Sequence, residues 1–166
     1  MNTTHRPRLR VRNINVSGIG DMSVKAMSRI RFADIGANFA GQFYVANYGG
    51  GDLRVIDAYL MFWAAKFPLP MERPYEGEEG NLMVSGVWLT PGRSDAVMFD
   101  VPLRSDDRHE EQMIDPAETA IYAMGWVEYI DKTEHIRRSA FCRRYDPAQW
   151  RFTLWDDAGL DYENEE

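Results

Sequence analysis

A second cysteine is missing. Cys142 is the only one among 166 residues, so no disulfide can form within the chain and stability must come from buried apolar surface. Long apolar runs are missing as well: no uninterrupted stretch approaches the roughly 18 residues that crossing a bilayer as a helix requires. No signal-like apolar run follows a basic start. Positive charge is in deficit, with 19 Lys and Arg against 26 Asp and Glu and a formal net charge of -7. That balance argues against nucleic acid or an acidic membrane surface as the main partner, because binding phosphates needs a positive field. Internal repeats and low-complexity segments are absent. What is present is apolar: 45% of the residues are hydrophobic and 13% aromatic. A chain this rich is folded, and its length suits a single domain with a substantial core.

Period-two alternation dominates, and it predicts strands. In RPRLRVRNINV, Arg6, Arg8, Arg10 and Arg12 alternate with Leu9 and Val11, then the pattern slips at Asn13 and predicts a bulge. NFAGQFYVAN puts Phe39, Gly41, Phe43 and Val45 on one face, and YGGGD turns the chain. LRVIDAYLMFWA returns with Ile56, Ala58, Leu60 and Phe62 opposite Val55, Asp57, Tyr59, Met61 and Trp63, both faces reading as covered. FPLPMERPYEGEEGN is a loop by its three prolines and lack of apolar period. LMVSGVWL, DAVMFDVPL, TAIYAMGWVEYID, HIRRSAFCRRYD and QWRFTLW supply further strands, with Val97, Phe99 and Val101 inward. Only the polar segment RSDDRHEEQMIDPAE suits a short helix or a long crossover. The expected fold is an all-β, immunoglobulin-like antiparallel sandwich of about seven to nine strands with at most one short helix. It is read as one domain over 1–166, with a core over about 7–155 and an acidic tail over 156–166.

Charge is unevenly distributed. The first 31 residues carry Arg6, Arg8, Arg10, Arg12, Lys25, Arg29 and Arg31 against a single acid, Asp21, whereas the last eleven, DDAGLDYENEE, hold six acids and no base. The simple reading is a solvated acidic segment that partly neutralises basic strands.

Chemistry-bearing patterns are sparse. His5, His109 and His135 stand in no nucleophile elbow and no Cys/His pattern, so no hydrolytic triad is read and the chain is taken as non-enzymatic, without a cofactor. SDDRHEE clusters acids around His109, but it lacks the alternating ligands and fixed glycine of a calcium loop, and Arg108 intrudes. No metal site is assigned. Cys142 reads as a small buried hydrophobe. Tyr59 and Trp63 share a strand face that Trp126 could extend into a platform for a carbohydrate-type ligand. The competing reading packs them under a loop or across a dimer interface.

The stretch PAETAIYAMGWVEYID carries a resemblance. ETAIY resembles the tyrosine corner of immunoglobulin domains, which makes Tyr122 the corner residue and places Met124 where an antibody domain has its cysteine. More widely, FYVANYGGGDLRVIDAYLMFW, VWLTPGRSDAVMFDV and IYAMGWVEYIDKTEHIRRSAFCRRYDP together resemble a family of uncharacterised proteobacterial proteins. That resemblance picks out Asn47, Gly49, Gly50, Pro91, Gly92, Gly125, Tyr129, Asp131, Phe141 and Cys142. It implies an immunoglobulin-like sandwich outside the cytoplasm, usually preceded by membrane helices, and it implies no activity. Two locations follow: cytoplasmic for the chain as written, or tethered outside the membrane where such helices precede it. Gly125 is expected to let Trp126 or Trp63 lie against the backbone. The expected role is protein interaction or structure, with an unidentified protein partner or self-association, and ligand binding through Tyr59, Trp63 and Trp126 is the alternative.

Overall fold

A computed structural model describes residues 6–19, 22–23, 38–66, 73–105, 119–146, 149 and 151–154. The segment with helical potential, 106–118, and the acidic stretch 155–166 lie outside the described residues. All regular structure among those described is β: β1 Leu9–Ile19, β2 Met22–Ser23, β3 Asn38–Asn47, β4 Leu53–Lys66, β5 Trp88–Leu89, β6 Ser94–Ser105, β7 Thr119–Ile130, β8 Ile136–Asp146 and β9 Arg151–Thr153.

Two antiparallel ladders form the body. In one, β1 pairs β3 and β3 pairs β6; in the other, β4 pairs β7, β7 pairs β8 and β8 pairs β9, with β5 on the outer edge of β4. Strict alternation in β3 and β6 turns Phe39, Phe43, Val45, Val97, Phe99 and Val101 inward, where they meet Ala58, Leu60, Phe62, Val127 and Phe141 from the opposite ladder. Phe62 sits at the middle of this core, with ring centroids 4.7 Å from Phe39, 5.3 Å from Phe99 and 5.5 Å from Phe152. Desolvating such rings supplies the main driving force of folding.

The ladders are also joined at their edges, which gives the molecule a nearly closed, barrel-like section. At one seam β6 runs parallel to β4, matching Phe62, Trp63 and Ala64 with Leu103, Arg104 and Ser105, so the sheet is mixed rather than wholly antiparallel. Between β5 and that junction, Asn81 takes the place of a strand: its amide accepts from Leu60 N–H at 3.0 Å and donates to Leu60 C=O at 2.9 Å. The edge of β4 is thereby satisfied without a continuous neighbour. At the opposite seam, side chains of β8 reach β1, with Arg143 Nη2 donating to Val11 O at 3.2 Å and Ser139 Oγ to Leu9 O at 3.5 Å.

Three local outcomes differ from or refine the alternation. The slip at Asn13 is a bulge: the register shifts between Arg12 and Asn15, and Asn13 adopts a φ of 53°. A second bulge between Val55 and Asp57 inverts the expected parity at the start of β4, so Val55 joins the core and Ile56 is only half-buried. The strand expected over LMVSGVWL shrinks to Trp88–Leu89, since Asn81 and Leu82 take the hydrogen bonds of β4 before it.

Candidate functional site

Alternation along β4 and β7 leaves a second apolar face, turned away from the core between the ladders. Tyr59, Met61 and Trp63 from β4 stand beside Tyr122, Met124 and Trp126 from β7 and Cys142 from β8. The structure therefore brings Tyr59, Trp63 and Trp126 together. Tyr59 and Trp126 are a direct cross-strand pair, stacked at 6.1 Å with 22° between planes. These rings are not an open platform, however: Tyr59 is 4%, Trp63 8% and Trp126 3% exposed. Tyr75, from the segment between β4 and β5, tilts onto Tyr59 at 5.9 Å, Arg104 donates to the Tyr59 hydroxyl at 3.4 Å, and the Arg138 guanidinium lies 4.0 Å above Trp126. Burial raises the Tyr59 phenol pKa, opposed by the Arg104 charge. Arg104 is itself paired with Glu78 at 3.7 Å. The face is a second core.

That parity bears on the corner resemblance. Tyr122 is fully buried, but it and Met124 point into the outer cluster, whereas the cysteine of an antibody domain points between the sheets. Met124 lies directly opposite Cys142 on β8. Burial pushes the Cys142 thiol up to about 12, with Arg143 opposing the shift, so the thiolate that a nucleophile requires is not populated at neutral pH. Gly125 faces the other way, toward β4: a Cβ there would fall on the Tyr59 carbonyl and against Leu60 Cα. Its smallness serves the approach of two backbones, not a tryptophan ring as expected.

The residues picked out around the hairpins have structural work. Asn47 is buried, donates to Gly51 O at 2.7 Å and Leu89 O at 2.9 Å, and accepts from Gly49 N–H at 3.1 Å. Gly92, at a φ of 85°, donates to Asn47 O at 2.7 Å, tying the Pro91–Gly92 turn to the same point. Asp131 closes the β7–β8 hairpin, accepting from Thr133 N–H at 2.8 Å and His135 N–H at 3.2 Å, and from the Thr133 hydroxyl. Burial alone would raise its pKa, but those hydrogen bonds hold it below the usual carboxylate range.

A different face is open. Arg8, just before β1, and Arg10 and Arg12 on it are exposed, while Leu9 and Val11 between them are buried. On neighbouring β3, Tyr44 stands opposite Arg12, and Tyr48, just beyond the strand, carries the Arg10 guanidinium 4.6 Å above its ring. Gln42 donates to the Tyr44 hydroxyl at 3.0 Å and orients that ring. None of the ion pairs among the described residues involves Arg8, Arg10 or Arg12. Burial lowers the pKa of Arg143, opposed by Cys142 and aided by the Arg10 charge. The arginine stripe offers planar donors at a fixed repeat, suited to carboxylates on an extended partner. In the sequence these arginines read as the outward face of a basic strand that the acidic segment partly neutralises; the signal for a binding face was three alternate guanidinium groups without an intervening acid. Among the described residues, no group of His, Cys, Asp or Glu is arranged to hold a metal ion, and no helix is long and apolar enough to cross a membrane.

No family model matches the chain, and no curated protein matches it. Among solved structures it is similar to a Bordetella pertussis protein provisionally named ApaA, with 14% identity over 81% of this chain and 85% of that one and a TM-score of 0.39. A likeness this distant carries no argument about this chain's fold or function.

Proposed function

We propose that this chain is a non-catalytic, immunoglobulin-like interaction module that docks an acidic protein segment on the outward face of β1 and β3. The observation that carries the docking surface is the exposed Arg8–Arg10–Arg12 ladder with Tyr44 and Tyr48 beside it. The immunoglobulin-like part draws its support from ladder order: β1–β3–β6 and β4–β7–β8 follow the A-B-E and C-F-G arrangement of that fold. The parallel β4–β6 seam and the parity of Met124 are this chain's own departures from it.

An acidic peptide suits the ladder better than nucleic acid does. A short peptide is drawn by the local stripe, whereas a long polyanion also meets the repulsion of a chain with net charge -7. The carbohydrate alternative loses its geometric support, since parallel exposed rings are what it needs and Tyr59, Trp63 and Trp126 are buried. A labelled octaglutamate peptide provides the test, titrated by fluorescence anisotropy at low salt. Binding by the native chain, with at least about a tenfold loss in the triple variant Arg8→Gln, Arg10→Gln, Arg12→Gln, supports the proposal. Equal binding by the two proteins, or binding by neither, rejects it.

A further inference from the structure

We infer that the acidic segment docking on this face also carries a large apolar side chain, three residues from its acidic end, seated on Ala96 and Met98 of β6. The inference rests on the acidic-docking reading above and names the chemistry of the partner. Its ground is Met98. This side chain is 65% exposed in the middle of β6, whereas the other exposed large apolar side chains among the described residues, such as Val87, Trp88 and Ile136, sit in loops or at strand ends. Alternation turns it outward, away from the core that Val97 and Phe99 enter. A thioether left in water adds no stability to the fold, whereas an unbranched Met adapts its shape readily to a partner.

Register places Met98 within reach of the ladder. Arg12 pairs with Tyr44 on β3 and Tyr44 with Ala96 on β6, while Gln42 pairs with Met98 in the next row of the same face. Positive charge is confined to the β1 side: Ser94, Ala96 and Met98 are exposed and uncharged, and the next residue on that face of β6 is an acid, Asp100. An acidic end is thus drawn to β1 and repelled from the far end of β6, which sets the segment's direction across the strands. Two strand spacings, about 9.6 Å, separate β1 from β6. A segment lying on a sheet face makes no ladder, and in the polyproline II form that unpaired chains favour it advances about 9.3 Å per turn of three residues. Side chains three apart then share one face at that separation. Ala96 is small and exposed, so an aromatic ring fits between Tyr44, held by Gln42 at 3.0 Å, and Met98.

The test titrates the full chain at low salt with three labelled peptides, each of four Glu followed by eight residues. In the first a Phe stands three positions after the last Glu, in the second a Phe stands seven positions after it, and every other residue is Ser; the third has Ser throughout. The expected result is that the first peptide binds about tenfold more tightly than the third, as partial burial of one Phe ring allows, while the second stays within about threefold of the third. Met98→Gln should reduce the first peptide's advantage to about threefold or less and leave octaglutamate binding unchanged. If the two Phe peptides bind alike, or the advantage survives Met98→Gln, the apolar subsite is wrong, and the octaglutamate titration decides separately whether acidic docking stands. A dimer in sedimentation that Met98→Gln dissociates would assign the face to a second copy of the chain and overturn the inference. If octaglutamate does not bind the native chain, both readings fall.

Discussion

The outward face of β1 and β3 and the outward face of β4, β7 and β8 are built by the same rule and end in opposite conditions. Each sets alternate side chains on the side away from the common core. On the first face those side chains are Arg8, Arg10, Arg12, Tyr44 and Gln42, and the arginines remain in water. On the second they are Tyr59, Met61, Trp63, Tyr122, Met124 and Trp126, and they are buried. Period two thus tells which residues share a face and is silent on whether that face is covered. Chemistry supplies the rest: aromatic and thioether surface is costly to leave in water, whereas guanidinium groups are costly to remove from it.

Substitutions can break this contrast, beginning with the face argued to be core. Trp126→Ala removes a buried ring that stacks on Tyr59 and lies beneath Arg138, and it is expected to cost about 3–5 kcal/mol in denaturant unfolding. A binding platform would instead lose affinity and keep its stability. Gly125→Ala comes next, at about 2–3 kcal/mol, because the added methyl meets the backbone of Tyr59 and Leu60 rather than a movable side chain. The same unfolding curves measure it, and a neutral result would mean that the β4–β7 approach is looser than described.

Asp131→Asn gives a smaller, pH-dependent effect. The folded carboxyl has a lowered pKa, so its contribution is present above the unfolded value near 3.9 and is lost as pH falls through the folded one. The variant should be less stable than the native chain at pH 7 and approach it as pH falls through the lowered pKa of the folded carboxyl, as read from stability against pH. A gap that stays constant across that range would assign the loss to the hairpin's geometry and not to its charge. The smallest effect belongs to the open face. Arg8→Gln, Arg10→Gln and Arg12→Gln together should change stability by less than about 1 kcal/mol, as exposed substitutions away from a paired network do.

Much of this arrangement was legible in the residues. Strict alternation in NFAGQFYVAN and DAVMFDVPL predicted the inward faces of β3 and β6, and the slip at Asn13 predicted its bulge. The bulge at Val55–Asp57 was not legible, because Val55, Ile56 and Ala58 are all apolar and a parity change among them leaves no trace in a pattern of apolar and polar. LMVSGVWL reads as a strand by composition, yet its ladder position is taken by the side chain of Asn81, a substitution that depends on a neighbour distant in sequence. The parallel β4–β6 seam depends likewise on where two long strands end. For the aromatic set, grouping on one face and its cover were readable, since LRVIDAYLMFWA is apolar on both faces; which residue covers it was not, because Tyr75 sits in a loop with no apolar period.

The most direct measurement takes affinity and stability on the same protein: octaglutamate binding and the unfolding midpoint of the triple arginine variant, each beside the native chain. Affinity lost with an unchanged midpoint is the predicted result, since it separates an exposed docking stripe from the framework that carries it. Retained affinity, or a midpoint that falls along with it, would contradict the assignment of the β1–β3 face as the binding surface.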